Sequence, residues 1–308
     1  MQPTNFIWKN GQMIAWQQAH THVLAHGLHY GAAVFEGIRC YQTQAGPAVF
    51  KLAEHIARFF YSAKQIGMRI PYTDAQLSQA VLETIEQNQL SECYIRPLAY
   101  YGYGSMKVTP TADLPIEVII ACWPWGKYLA ANAIDVATSK YIRIHPQSTV
   151  ADAKISGHYI NSILAGLAIQ NTHYHEALLL DTKGFVAETT AANFFIVKHN
   201  KLITTPAGTI LLGITRNTVI DIAKELGIEV VEQYFKPEDI YQADEAFCCG
   251  TAAEITTVRS LDDKLIGSGV AGNVTQKIDH CYQQVVHGKA PNYQSALTYV
   301  TCKGEVYA

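Results

Sequence analysis

The chain has 308 residues, which at roughly 150 residues per domain points to two domains and a core large enough to enclose a small substrate. Its 49% hydrophobic content excludes fibrous and disordered classes, and 23 Lys+Arg against 26 Asp+Glu give a net charge of −3, without the basic excess of a nucleic-acid-binding protein. Only seven of the basic residues are arginines, at 39, 58, 69, 96, 143, 216 and 259, so each one calls for an explanation.

The seven cysteines are odd in number and scattered, with no C-x-x-C pair, which suits reduced thiols and a cytoplasmic location. The first eleven residues lack the basic and apolar regions of a signal peptide. Two runs free of Asp, Glu, Lys and Arg, from Asn10 to Phe35 and from Ile155 to His175, are long enough to suggest a membrane. Both are too polar for hydrocarbon, holding His20, His22, His26 and His29 in the first and Ser156, His158, Asn161 and Gln170 in the second. They read instead as surface buried against another protein, or as site lining.

In chain order, Phe6 to Trp8 and Met13 to Ala15 flank Asn10-Gly11 and predict a hairpin. Leu52, Ile56, Phe59, Phe60, Ala63 and Ile66 recur at helical spacing, with Gly67 as the stop. A second helix, capped near Thr73-Asp74, runs through Leu77, Val81 and Ile85. Strands follow at Tyr94 to Tyr101 and Ile116 to Trp123, the latter nearly all apolar. Pro124 and Gly126 then break the pattern, which divides the chain into a small domain 1–123, a loop 124–134 and a larger domain 135–308 carrying Lys154. The second half predicts strands at Ile134 to Ala137, Ala177 to Asp181, Asn193 to Val197 and Ala246 to Cys249. Its helices fall at Ile160 to Gln170, Thr215 to Leu226 and Val274 to Val286. Strands and helices come in runs, which favours α+β over a doubly wound sheet. From Gly288 on, no element is assigned.

Several short patterns carry chemistry. Gly213-Ile214-Thr215-Arg216 opens a helix, and free N–H groups there can meet a phosphate or carboxylate, although a plain helix start is the commoner meaning. Gly250-Thr251-Ala252-Ala253-Glu254 follows an apolar strand and gives a second such cup, or an ordinary tight turn. His22, His26 and His29 share helical spacing, but no acidic or thiol ligand lies near enough to complete a metal set. Lys154 is the one Lys or Arg between Arg143 and Glu176, and a desolvated lysine can act as a Schiff-base nucleophile; position alone does not select it among the 16 lysines.

Read jointly, an ordered set of motifs runs through most of the chain: Leu28-His29-Tyr30-Gly31, Val34-Phe35-Glu36-Gly37-Ile38-Arg39, Glu54-His55 with Arg58, Tyr94-Ile95-Arg96-Pro97, Pro124-Trp125-Gly126, Ala153-Lys154, Glu188 with Asn193, and the two cups. In this order and spacing the chain resembles the branched-chain amino acid aminotransferases, pyridoxal-phosphate enzymes of fold type IV. The resemblance implies a two-domain α+β fold with the cofactor at the domain interface. It also implies exchange of the amino group of leucine, isoleucine or valine with 2-oxoglutarate.

Within it, Lys154 would hold pyridoxal 5'-phosphate as a Schiff base and move the Cα proton, Glu188 would bond the pyridine nitrogen, and Tyr159 the phenolic oxygen. Arg58, the N–H groups of Ile214 and Thr215 and the Thr251 hydroxyl would hold the phosphate. Tyr94 with the N–H groups of Thr251 and Ala252 would meet the α-carboxylate, and Arg96, Tyr30 and Tyr128 the second carboxylate of glutamate. Tyr30 and Tyr128 would come in part from a neighbouring subunit of a homo-oligomer. Phe35, Gly37, Val108 and Trp125 would line the apolar pocket, and Arg39 belongs to the substrate motif. Lys107 departs from the family's uncharged loop, as Cys248-Cys249 departs at the second cup. The rival readings are a D-amino acid aminotransferase, an aminodeoxychorismate lyase, and a cofactor-free binding protein on the same scaffold. Intact Lys154 and Glu188 weigh against the last.

Overall fold

Two residues with left-handed backbone make the first turn. Strands β1 (Phe6–Lys9) and β2 (Gln12–Ala15) pair antiparallel with Lys9 opposite Gln12, while Asn10 and Gly11 between them take φ of 48° and 88°. The computed structural model describes residues 2–126 and 133–300. Chain packing divides it into two units. The first takes in the chain up to Gly126, the short segment Ala153–Gly157 and the chain from Val285 on; the second takes in the rest.

The first unit continues through α1 (His26–Tyr30), β3 (Ala33–Phe35), β4 (Ile38–Thr43), β5 (Gly46–Phe50), α2 (Leu52–Gln65), α3 (Asp74–Gln87), β6 (Cys93–Tyr101) and β7 (Ile116–Trp123). Its sheet runs β5-β4-β6-β7-β1-β2, with β3 also paired to β6 and a late strand, Leu297–Tyr299, on the outer edge of β5. Helix α3 is capped at Thr73 as expected, and the cap is a capping box: Thr73 accepts from Gln76 N, and Gln76 accepts from Thr73 N. Helix α2 buries Leu52, His55, Ile56, Phe59, Ser62 and Ala63, so two polar side chains sit in its apolar stripe.

The segment around Lys154 joins this unit through backbone pairing. Phe35 N donates to Lys154 O at 3.2 Å, Val34 bridges to Ile155, and Gly157 N donates to Gly31 O at 3.1 Å. At Gly31, with φ 65°, an added Cβ would lie 2.9 Å from Gly157 Cα, so the close approach requires glycine there. A single cut at 124–134 puts Lys154 in the second half, whereas the structure returns its segment to the first unit. Strand addition of this kind leaves no local composition signal.

The second unit holds β8 (Ala133–Thr138), α4 (Tyr159–Ile169), β9 (Glu176–Leu180), β10 (Val186–Thr189), β11 (Asn193–Lys198), β12 (Lys201–Thr204), α5 (Ile214–Glu225), β13 (Val230–Glu232), α6 (Pro237–Tyr241), β14 (Glu245–Gly250), β15 (Glu254–Leu261), β16 (Lys264–Leu265) and α7 (Asn273–Val286). The sheet order is β10-β9-β8-β15-β14-β11-β12-β13, and an added β10–β11 pairing closes the first six strands on themselves. Its core gathers Ile134, Val136, Leu178, Phe194, Ile196, Phe235, Ala246 and Val258. The mixed sheets with helices in runs fit the α+β expectation. Among the described residues no helix is long and apolar enough to cross a membrane.

Candidate active site

In the first unit, α2 supplies three polar groups to one buried place. Glu36, fully buried between β3 and β4, receives Arg58 Nε at 2.7 Å and Nη2 at 2.9 Å, the imidazole Nδ1 of His55 at 2.8 Å and its neighbour Gly37 N at 3.3 Å. Burial alone would push this carboxyl up, but the charge and hydrogen bonds of Arg58 and the contacts of His55 hold it well below the usual carboxylate range. Burial pushes the His55 imidazole down, against the pull of Glu36, so His55 is a neutral Nδ1–H donor. One turn on, Ser62 Oγ accepts from Lys154 N at 2.9 Å. Lys154 Nζ lies 4.7 Å from the centre of the Phe35 ring, and the Arg96 guanidinium lies at the same distance from that ring. A ring faced by two cations marks a place suited to an anionic ligand.

Beside it stands an aromatic wall. Tyr94 stacks on Trp125 at 4.9 Å and meets Trp123 at 5.3 Å, and Arg96 Nη2 donates to its hydroxyl at 3.5 Å. The Arg96 Nε is buried without a hydrogen-bond partner, which leaves a donor for a ligand. Gly37 is bare for a reason: a Cβ there would overlap the Tyr94 hydroxyl. Arg39 lies on the same strand pairing, opposite Tyr94, but its guanidinium turns to Glu92 at 3.4 Å and over the Tyr41 ring. Tyr30 donates to Met106 O at 2.8 Å, and His26 Nε2 contacts Lys107 O and Val108 O at 3.0 and 3.1 Å, so α1 holds the loop on which Val108 is 72% exposed. Tyr128 lies outside the described residues. His22, His26 and His29 are thus engaged locally, and among the described residues no group of three His, Cys, Asp or Glu is placed to hold a metal ion.

The second unit presents a carboxylate and a helix start. Glu188, 7% exposed on β10, is paired with Arg143 Nε at 2.6 Å through Oε1; its Oε2 accepts from Asn193 Nδ2 and Leu211 N, each at 3.2 Å. Arg143 also reaches Ala151 O at 3.3 Å. Asn193 Nδ2 further donates to Leu211 O at 2.9 Å, and a Cβ on Gly213 would overlap Asn193 Oδ1, so this amide fixes the approach to α5. Gly213 is the N-cap of α5 and provides no side-chain cap, leaving the first-turn N–H groups of Ile214 and Thr215 as donors at the positive end of the helix. Thr251 and Ala252 lie in the β14–β15 turn, where Glu254 takes φ 52°, and Tyr159 opens α4. Arg216 is structural, donating to Thr205 O and Glu232. Burial pushes the Cys248 and Cys249 thiols up, which makes both poor nucleophiles.

Reading the sequence alone did not single out Arg143, Ser62 or the Glu36–His55 contact. For the last two the signal was there, as polar positions on the buried stripe of α2. For Arg143 it was the scarcity of arginine itself.

Each unit by itself carries groups suited to part of a ligand: the first an arginine and a lysine amine for a phosphate monoester and a carbonyl, the second an uncapped helix start for a phosphate and a charge-paired buried carboxylate for a basic ring nitrogen. Comparison with known proteins agrees. The family model for amino-transferase class IV matches residues 33–261. The branched-chain-amino-acid aminotransferase of Pseudomonas aeruginosa is 41% identical over 298 residues, 96% of this chain and 97% of that one. The crystal structure of the Escherichia coli branched-chain amino acid aminotransferase matches with a TM-score of 0.94 at 41% identity, covering 97% of this chain and 100% of the other. That of the Thermobaculum terrenum enzyme, in its PLP form, gives 0.92 at 33% identity over 98% and 100%. Likeness of this extent makes the protein an enzyme that transfers amino groups. The chain belongs to the class IV aminotransferase family.

Proposed function

We propose that the protein transfers the amino group of L-leucine, L-isoleucine or L-valine to 2-oxoglutarate, giving branched-chain 2-oxo acids and L-glutamate in a ping-pong cycle, with pyridoxal 5'-phosphate as cofactor. The observation that carries this reading is Lys154, tied to β3 and to Ser62 through its own backbone, with its amine over the Phe35 ring. Its motif stands in a chain whose relatives bear the name of this activity. When bound, the cofactor supplies an electron sink for charge developing at the substrate Cα.

The chain's own residues do the rest. Lys154 Nζ anchors the cofactor, then takes the proton from the substrate Cα and returns it at C4′, acting as base and acid in turn. Glu188, held by Arg143 and Asn193, keeps the ring nitrogen protonated, and Tyr159 bonds the phenolic oxygen. Arg58, the N–H groups of Ile214 and Thr215 and the Thr251 hydroxyl receive the phosphate. Tyr94 and the N–H groups of Thr251 and Ala252 receive the α-carboxylate. Arg96, whose Nε lacks a partner, meets a γ-carboxylate together with Tyr30 and Tyr128, contributed in part by a second subunit of a cytoplasmic homo-oligomer. Phe35, Gly37, Val108 and Trp125 bound the aliphatic side chain. Tyrosine hydroxyls at the edge of an apolar wall serve both substrates without stranding a charge when leucine is bound. Arg39 is committed to Glu92 and Tyr41, so its part is to support the wall.

The test is the visible absorption of the cofactor-loaded protein on addition of L-leucine and of D-leucine. The L isomer should shift the band to that of the aminated cofactor and 2-oxoglutarate should restore it. A response to D-leucine alone would overturn the assignment.

A further inference from the structure

The buried Glu36 has no role in the reaction just described, yet its carboxylate accepts four hydrogen bonds in the first unit. We infer that Glu36, with His55 as its second support, is the positioning residue that holds the Arg58 guanidinium in the orientation for an incoming phosphate. This rests on the assignment of Arg58 to the cofactor phosphate.

A guanidinium carries five N–H donors in a rigid plane. Glu36 takes Nε and one Nη2 proton in a bidentate grip, so the plane of the guanidinium is fixed. Arg58 is otherwise a long side chain with several rotatable bonds, and ordering such a side chain on binding weakens affinity when it has not been ordered beforehand. Glu36 is itself locked from three sides: its N donates to Pro97 O at 2.9 Å, Gly37 N reaches Oε2, and His55 Nδ1 closes the fork at 2.8 Å. Arg58 and His55 lie three residues apart on α2, so one helix face presents both to one carboxylate.

A carboxylate beside a phosphate site would by charge alone weaken anion binding, and a purely structural ion pair elsewhere on α2 would serve stability equally well. Its placement on the phosphate arginine itself therefore points to orientation. The neutral state of His55 matters here, because it donates without adding a charge that would compete with Arg58 for the carboxylate.

The test uses the full chain stripped of cofactor, as wild type, Glu36→Gln, Arg58→Ala and the double variant, titrated with pyridoxal 5'-phosphate and with pyridoxal, which lacks the phosphate. Binding is read from the visible absorption of the lysine adduct and folding from thermal unfolding. Glu36→Gln should weaken pyridoxal 5'-phosphate at least about tenfold and pyridoxal less than about twofold, and should add nothing in the Arg58→Ala background. Equal weakening of both ligands, an unchanged phosphate preference, or full additivity in the double variant would overturn the inference while leaving the cofactor reading intact. Wild type that takes up neither ligand would overturn both. If Glu36→Gln does not fold, Glu36→Asp, which keeps the charge and is too short for the same grip, should show the same phosphate-specific loss, and its absence counts against the role.

Discussion

Two side chains on the site depend on neighbours that could be removed one at a time. At Gly37 any Cβ overlaps the Tyr94 hydroxyl, so Gly37→Ala must displace that ring from its stack on Trp125. With Tyr94 meeting the α-carboxylate as proposed, KM for L-leucine should rise about tenfold or more, one lost charge-assisted contact being enough for that, while melting temperature moves little; steady-state kinetics with several amino acids check it. Arg143 is a stability residue as well as a support. Removing it leaves Glu188 buried with its strongest partner gone, and Arg143→Met should cost about 3–5 kcal/mol by denaturant unfolding. Adding Glu188→Met should recover part of that loss, and no recovery would mean the pair is not the reason. Of these residues Gly37, Tyr94 and Glu188 were legible through the family motifs. The Arg143–Glu188 pair spans 45 residues and the Arg58–Glu36 pair 22, and periodicity, which reports only near neighbours, carries no trace of either.

At the scale of elements, what could be read was what local chemistry decides. The Asn10-Gly11 turn, α2 with its stop at Gly67, α3 behind Thr73, α5 after Gly213 and the long strands β6 and β7 all fell within one or two residues of their expected bounds. Strands β3, β4 and β5 were not assigned, because between Ala33 and Phe50 glycine, arginine and glutamine interrupt alternation, and β3 and β4 form on β6 while β5 forms on β4. The final strand, Leu297–Tyr299, likewise exists only by pairing with β5. For α3 the cap makes a direct prediction. Thr73→Ala removes the bond to Gln76 N and frees the reciprocal one, costing about 1 kcal/mol, or about 2–4 °C in melting temperature. An unchanged transition would mean that α3 is held by its packing on α2, β1, β6 and β7 alone.

For the molecule as a whole, only 16% of residues are charged, which places much of the pH response on a few buried groups. His55 has its imidazole pushed below the ordinary 6.5 by burial, so below that pH the unfolded chain gains a proton that the folded one refuses, and stability falls as pH drops. Glu36 acts lower: its folded value is depressed, so its contribution is present above about 4.5 and is lost as pH falls through the folded value. Asp135, whose bond to Arg259 takes it down to about 2, adds a further loss between 3.8 and 2. Glu176 runs the other way, because burial raises its carboxyl, and its contribution is fully present below 4.5 and declines as pH rises. The decline on acidification between pH 6.5 and 5 therefore comes from His55, the one buried imidazole in this set whose proton uptake folding opposes, with Glu176 working against it. Replacing it with glutamine keeps a donor for Glu36 and removes the titration, so the melting temperature of His55→Gln should not decline from pH 7 to 5 where that of the wild type does. Both should then fall together below about 4.5, as the carboxylates take over. Parallel declines of the two proteins between pH 7 and 5 would place the sensitivity elsewhere, and would remove the argument that His55 stays neutral beside Glu36.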